Sequence, residues 1–231
     1  MSEPIHAPSP NFDTRTAAPS MVVLHYTGMP NGPDALAWLT NPASRVSAHY
    51  LVEEDGRVFA MVAESDRAWH AGVSRWRNIT DVNGASIGIE IVNPGHQWGY
   101  REFPRAQMAA VLRLVRDITR RHGIDRADVV GHSDVAPTRK EDPGELFDWN
   151  LLARHRLALG RPARLLVDPG WPDAAFVLSL ERFGYDVADP LAAVRAFQRR
   201  FRQNDVNGVI CGECRAILFT LLAEEEARLA Y

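Results

Sequence analysis

Apolar positions along the chain keep two rhythms, and these divide it into strands and helices. "MVVLHY" (21–26) and "SIGIEIVN" (86–93) are continuous apolar runs of the kind found in strands buried on both faces. "ADVVGH" (127–132) is a shorter run of the same type. "SAHYLVEEDGRVFAMVAE" (47–64) reads as a hairpin, its two arms joined at the turn Asp55-Gly56. Between Pro104 and Arg121 the period changes. Met108, Val111, Leu112, Val115 and Ile118 recur at spacings of three and four, which predicts one face of a helix, and Gly123 follows as a stop. Pro33 opens a shorter helix, "PDALAWLT", closed by Asn41-Pro42. Interleaved strands and helices with one hairpin imply an α/β domain: a mixed central β-sheet flanked by helices.

The ends have a different texture. Residues 1–19 are polar and proline-rich and read as an extended leader, leaving 20–160 as the main domain. Residues 161–171 read as a linker. From 172 to 231 three helical patterns, "PDAAFVLSLERFG", "PLAAVRAFQRRFR" and "GECRAILFTLLAEEEARL", predict a small three-helix C-terminal domain. Leu191, Val194, Phe197, Gln198 and Phe201 mark the inner face of its second helix.

Composition narrows the picture. With 231 residues, 46% of them hydrophobic, the chain can bury one real core and a small appendage. A net charge of −3 gives no electrostatic case for nucleic acid or an anionic membrane. The N-terminal stretch lacks a basic and then apolar secretory pattern, and no apolar run has transmembrane length. A cytoplasmic location is therefore expected, with the periplasm as the alternative if a signal has been trimmed. Cys211 and Cys214 are the only cysteines, too few for a disulfide framework or a four-thiolate zinc site, and read as free or buried thiols.

Candidate chemistry gathers at strand ends. His25 closes "MVVLH", His132 closes "DVVGH", and Asp142 lies in a loop restricted by Pro137 and Pro143. Two imidazoles and a carboxylate suit a zinc ion that keeps a position open for water. Each histidine taken alone reads first as an ordinary residue near a strand end. Glu90 alternates with Ile87, Ile89 and Ile91, as either a half-buried carboxylate of raised pKa or an exposed strand residue. Lys140, on a charged loop, reads as solvated. Spacing alone leaves these alternatives open.

Taken together and in order, "HYTG" (25–28), "SAHYLVEEDGRVFAMV" (47–62), "AWHAG" (68–72), "SIGIEIVN" and "GHSDVAPTRKEDPG" (131–144) resemble one family. It is the zinc-dependent N-acetylmuramoyl-L-alanine amidases, the type-2 amidases related to peptidoglycan recognition proteins. The resemblance spans roughly residues 20–155 and points to the branch with a C-terminal peptidoglycan-binding-like domain. It implies that His25, His132 and Asp142 ligate Zn²⁺, that Glu90 is the catalytic acid/base and that Lys140 steadies the oxyanion.

The implied reaction hydrolyses the amide between N-acetylmuramic acid, or its 1,6-anhydro form, and L-alanine in muropeptides during cell-wall recycling. An exported enzyme acting on polymeric peptidoglycan and a non-catalytic recognition module are the alternatives. His70, Trp69, Arg139 and His49 are candidate substrate contacts, and Trp76 lines either the groove or the core. His6, His96, His122 and His155 belong to no motif and read as surface residues. In the C-terminal segment "AVRAFQRRFR" resembles the "FQ" helix of peptidoglycan-binding domains. The following Asp-Gly-x-x-Gly turn is altered to Asn207-Gly208 and Cys211-Gly212.

Overall fold

The computed structural model describes residues 3–229. In chain order, the N-terminal half contains β1 (Ile5–His6), β2 (Phe12–Thr14), β3 (Met21–Tyr26), α1 (Gly32–Leu39), β4 (Tyr50–Val52), β5 (Val58–Ala60) and β6 (Asp66–Ala68). Then come α2 (Val82–Ala85), β7 (Ser86–Ile91), α3 (Gly95–Trp98), α4 (Arg105–His122), β8 (Val129–Gly131) and α5 (His132–Val135). The chain continues through α6 (Trp149–Arg154), α7 (Asp173–Phe183), α8 (Pro190–Phe201) and α9 (Gly212–Leu229). Six strands form one sheet in the order β1-β5-β4-β7-β3-β8, parallel except at the β4–β5 hairpin. Strands β2 and β6 make a separate antiparallel ribbon.

The sheet is covered on both faces, which is why β3 and β7 read as unbroken apolar runs. On one face Val22, Leu24, Ile87, Ile89, Ile91 and Val129 meet Met108, Val111, Leu114, Val115 and Ile118 of α4. Leu114, rather than the expected Leu112, completes that buried stripe, while Leu112 stays partly exposed. Pleating sends Met21, Val23 and Val130 to the other face. There they join Trp76, Phe176, Leu180, Phe197, Phe201 and Ile217 in a single core cluster. Helices α7–α9 therefore share a core with the sheet instead of standing off from it. Within α8, Val194, Phe197, Gln198 and Phe201 are buried as expected, but Leu191 is half exposed.

Two further expectations change. The leader is extended but not detached: β1 adds a parallel edge to β5, β2 pairs with β6, and Ser9 Oγ donates to Leu39 O at 2.6 Å. Arg15 donates to the carbonyls of Glu64, Asp66 and Ser86 at 2.9–3.1 Å, tying this segment to the hairpin and to β7. His132, expected to close a strand, instead opens the short turn α5. There the Asp134 carboxylate accepts the Gly131 N–H at 2.8 Å and bends the chain.

Candidate metal centre

Strand register builds the centre. His25 on β3 lies directly beside Glu90 on β7, and Leu24 beside Gly131 on β8. Just beyond the end of β8, His132 comes against His25 with ring centroids 4.4 Å apart, so Glu90, His25 and His132 lie side by side at the ends of three neighbouring strands. The third ligand candidate returns from the loop. The Ser133 N–H donates to Asp142 O at 2.8 Å, which closes the loop on these residues. His25, His132 and Asp142, all buried, each offer one ligand atom within 4.8 Å of the others.

The hydrogen bonds decide which atoms face inward. His132 Nε2 lies 3.1 Å from Ala71 O, an acceptor only, so Nε2 carries the hydrogen and Nδ1 keeps its lone pair. A chain does the same for His25. The Ser86 hydroxyl donates to Val82 O at 2.5 Å and lies 3.3 Å from His70 Nε2. His70 Nδ1 is thereby an acceptor for His25 Nε2–H at 3.0 Å. The two inward Nδ1 atoms are 2.9 Å apart, and each is within 3.1 Å of Asp142 Oδ2. Three lone pairs converging at these distances repel one another unless a cation sits among them, so the donor set fits a metal ion.

Electrostatics agree. Burial, and next the neighbouring His132, push His25 down to about 4, which keeps it neutral and able to ligate. Burial alone would raise Asp142, but His132 and His25 outweigh it and hold the carboxyl below the usual range. Burial and then the Asp142 charge raise Glu90 well above an ordinary carboxyl. Its Oε2 is enclosed and has no hydrogen-bond partner. These groups open onto a cleft of about 320 Å³ between α1 and the 131–142 loop, lined also by Trp38, Trp69, His70 and Lys140. A larger cavity of about 660 Å³, beside α4 and lined by Tyr50, Glu64, Arg113 and Arg121, lies away from the cluster.

The remaining candidates separate. Trp69 and His70 reach the cleft, Trp69 with its indole N–H donated to Asp13 at 2.8 Å. His70 is nonetheless buried beneath His25, above Gly88, where any Cβ would come within 2.5 Å of the ring. His49 does not reach the cleft: it is wholly buried, its Nδ1 accepting the Gly88 N–H at 2.9 Å. Arg139, expected to contact substrate, turns its guanidinium to the carbonyls of Ala71 and Val73. Trp76 is core, packed edge-on against Phe183 and Tyr185. His96 is exposed, as expected of a surface residue, and bonds Tyr26 and Glu145. His122, also partly buried, bonds Glu64 at 2.7 Å. Sequence reasoning passed over Trp38, whose exposed indole lies on the helix α1 that walls the cleft. It also passed over Tyr185 and Arg200, which hold Asp134 behind His132.

A mixed sheet carrying two imidazoles and a carboxylate at one point, open to a cleft and flanked by an unpartnered acid, defines an enzyme domain able to hold a metal ion. The chain belongs to the N-acetylmuramoyl-L-alanine amidase family, whose sequence profile matches residues 15–145. It is 35% identical to the N-acetylmuramoyl-L-alanine amidase AmiD of Escherichia coli (strain K12), over 91% of this chain and 87% of the relative. The 1,6-anhydro-N-acetylmuramyl-L-alanine amidase AmpD of that organism is 34% identical, over 67% of this chain and 91% of the relative. Among solved structures, the complex of E. coli AmiD with its substrate anhydro-N-acetylmuramic acid-L-Ala-D-gamma-Glu-L-Lys matches with a TM-score of 0.81. That pair is 34% identical, and 90% of each chain is covered. AmpDh3 of Pseudomonas aeruginosa in complex with anhydromuramic pentapeptide also reaches 0.81, at 32% identity, covering 90% of this chain and 93% of its own.

Proposed function

We propose that this chain is a zinc amidase that hydrolyses the bond between N-acetylmuramic acid, in its 1,6-anhydro form above all, and L-alanine in soluble muropeptides. The setting is cell-wall recycling. The observation that carries this reading is the enclosed, partnerless Glu90 oxygen beside the His25/His132/Asp142 cluster. Zn²⁺ suits two imidazoles and a carboxylate, and when bound it supplies Lewis acidity that polarises the amide carbonyl and acidifies water. The protein's own groups do the rest. Glu90, its proton affinity raised by burial, takes a proton from the attacking water and delivers it to the leaving nitrogen of L-alanine. Lys140, on the cleft wall, steadies the negative charge that gathers on the carbonyl oxygen. His70 and the Ala71 carbonyl hold the two ligand imidazoles in the tautomers that present Nδ1. Trp38 and Trp69 offer flat faces to sugar or peptide.

The test is direct. The zinc-loaded protein is incubated with intact sacculi and with an anhydro-disaccharide peptide, each with and without a chelator, and the products are identified by mass. The expected product is free peptide beginning at L-alanine, released faster from the soluble fragment and abolished by chelation. No release from either substrate after zinc is restored overturns the proposal, and preference for sacculi transfers it to a polymer-acting enzyme.

A further inference from the structure

The amidase reading leaves one pair of nucleophilic side chains unused, Cys211 and Cys214 at the start of α9. The Cys211 carbonyl accepts the Arg215 N–H at 3.1 Å, the first bond of an 18-residue helix, so Cys211 stands at its cap and Cys214 one turn inside. Their Sγ atoms are 3.5 Å apart. The two environments differ. Cys211 is partly exposed beside the exposed Val209, whereas Cys214 is fully buried, with Gln198 Nε2 donating to its sulfur at 3.5 Å. Gln198 also bonds Val209 O and the Gly208 N–H, at 2.9 and 2.7 Å, so the turn before the pair is anchored to α8.

We propose that Cys211 and Cys214 form a redox-active dithiol, with Cys211 as the attacking thiol and Cys214 as the resolving one, reversibly closed by small disulfides. The proposal goes beyond the amidase reading and does not depend on it. A sulfur at a helix N-terminus meets backbone N–H groups that favour thiolate over thiol, and the thiolate is the nucleophile. At Cys211 burial works the other way, but the N–H groups of Cys214 and Glu213 and the charge of Arg202 outweigh it and lower the thiol. Burial raises Cys214, which leaves it a thiol until its neighbour has reacted.

The chemistry balances with a low-molecular-weight disulfide as oxidant. The Cys211 thiolate attacks one sulfur of the small disulfide, breaking its S–S bond, forming a mixed disulfide and expelling one thiolate. Cys214 gives its proton to that thiolate through solvent. Its sulfur then attacks Cys211 Sγ, forming the internal disulfide and expelling the second small thiolate, which solvent protonates. The protein loses two electrons and two protons, and one small disulfide becomes two thiols.

The full-length protein, reduced and freed of reductant, is exposed to glutathione disulfide and followed by intact mass and thiol titration. The expected result is loss of two hydrogens, no retained adduct, no remaining free thiol and full reversal by dithiothreitol. Iodoacetamide should alkylate Cys211 about tenfold or more faster than Cys214. Cys214→Ser should trap a stable glutathione adduct at Cys211, and Cys211→Ser should leave the enclosed Cys214 unreactive. Two thiols persisting in the wild type, or cross-linked dimers in place of the internal bond, overturn the proposal. So does a Cys211→Ser variant that reacts as fast as the wild type. The wild-type mass shift decides the question even where a variant folds poorly.

Discussion

Glu90 and Asp134 are both enclosed carboxylates within the same domain, and their surroundings are opposite. Glu90 keeps an oxygen without any partner and faces a cleft. Asp134 is saturated: it accepts the Tyr185 hydroxyl at 2.6 Å, Arg200 Nη1 at 2.7 Å and the Gly131 N–H at 2.8 Å. Arg200 in turn donates to Leu159 O and Val129 O and lies 4.2 Å over the Trp149 ring. A buried polar group without a partner is costly, so its persistence points to a ligand it awaits. A buried acid with both oxygens engaged holds structure in place. Here the structure it holds is the turn that carries His132, and two of the three clamps come from the C-terminal segment.

The contrast is open to attack, beginning where the effect is greatest. Glu90→Gln should lower kcat on the order of 10²–10⁴-fold while zinc content, measured by elemental analysis, stays stoichiometric. A rate near that of the wild type would remove Glu90 from the mechanism. Arg200→Leu should cost about 3–5 kcal/mol in urea unfolding, because it strands the Asp134 charge in the interface. A loss below about 1 kcal/mol would mean that water reaches Asp134 and the clamp is loose.

His49 lies on the saturated side of the comparison. Burial foremost, with the Arg15 charge adding to it, depresses its pKa to about 4. Its folded-state value thus lies below the unfolded one of about 6.5, so its stabilisation is full above pH 6.5 and is lost as the pH falls to about 4. Over that window the loss is about 3 kcal/mol, and His49→Gln should flatten that limb of the stability curve. An unchanged acid limb would assign it to other groups. Tyr185→Phe should cost least, about 2 kcal/mol, since Asp134 keeps its guanidinium partner. Zinc affinity should fall in Arg200→Leu more than in Tyr185→Phe, in the order of their effects on Asp134.

Much of this was legible in residue order, and the exceptions are instructive. The runs of β3 and β7, the hairpin at Asp55-Gly56 and the stripe of α4 follow from neighbours three or four positions apart at most. The two short leader strands carry no such pattern, because an exposed edge of two or three residues takes its shape from the partner it pairs with. Arg139 shows the same limit at the level of one side chain. It was a candidate substrate contact, but its guanidinium is taken up by the carbonyls of Ala71 and Val73.

Residue order alone specifies the strands, the main helices, and the family motifs that mark His25, His132, Asp142, Glu90 and Lys140 as a set. The packed chain is what brings Glu90, His25 and His132 side by side and turns Nδ1 of each histidine inward. It also placed α8 behind the turn that carries His132. The reason is physical: hydrophobic period is written in local spacing, whereas convergence depends on the register of strands far apart in the chain. Tautomers depend on a Ser86 hydroxyl and an Ala71 carbonyl that no motif connects to the imidazoles they orient.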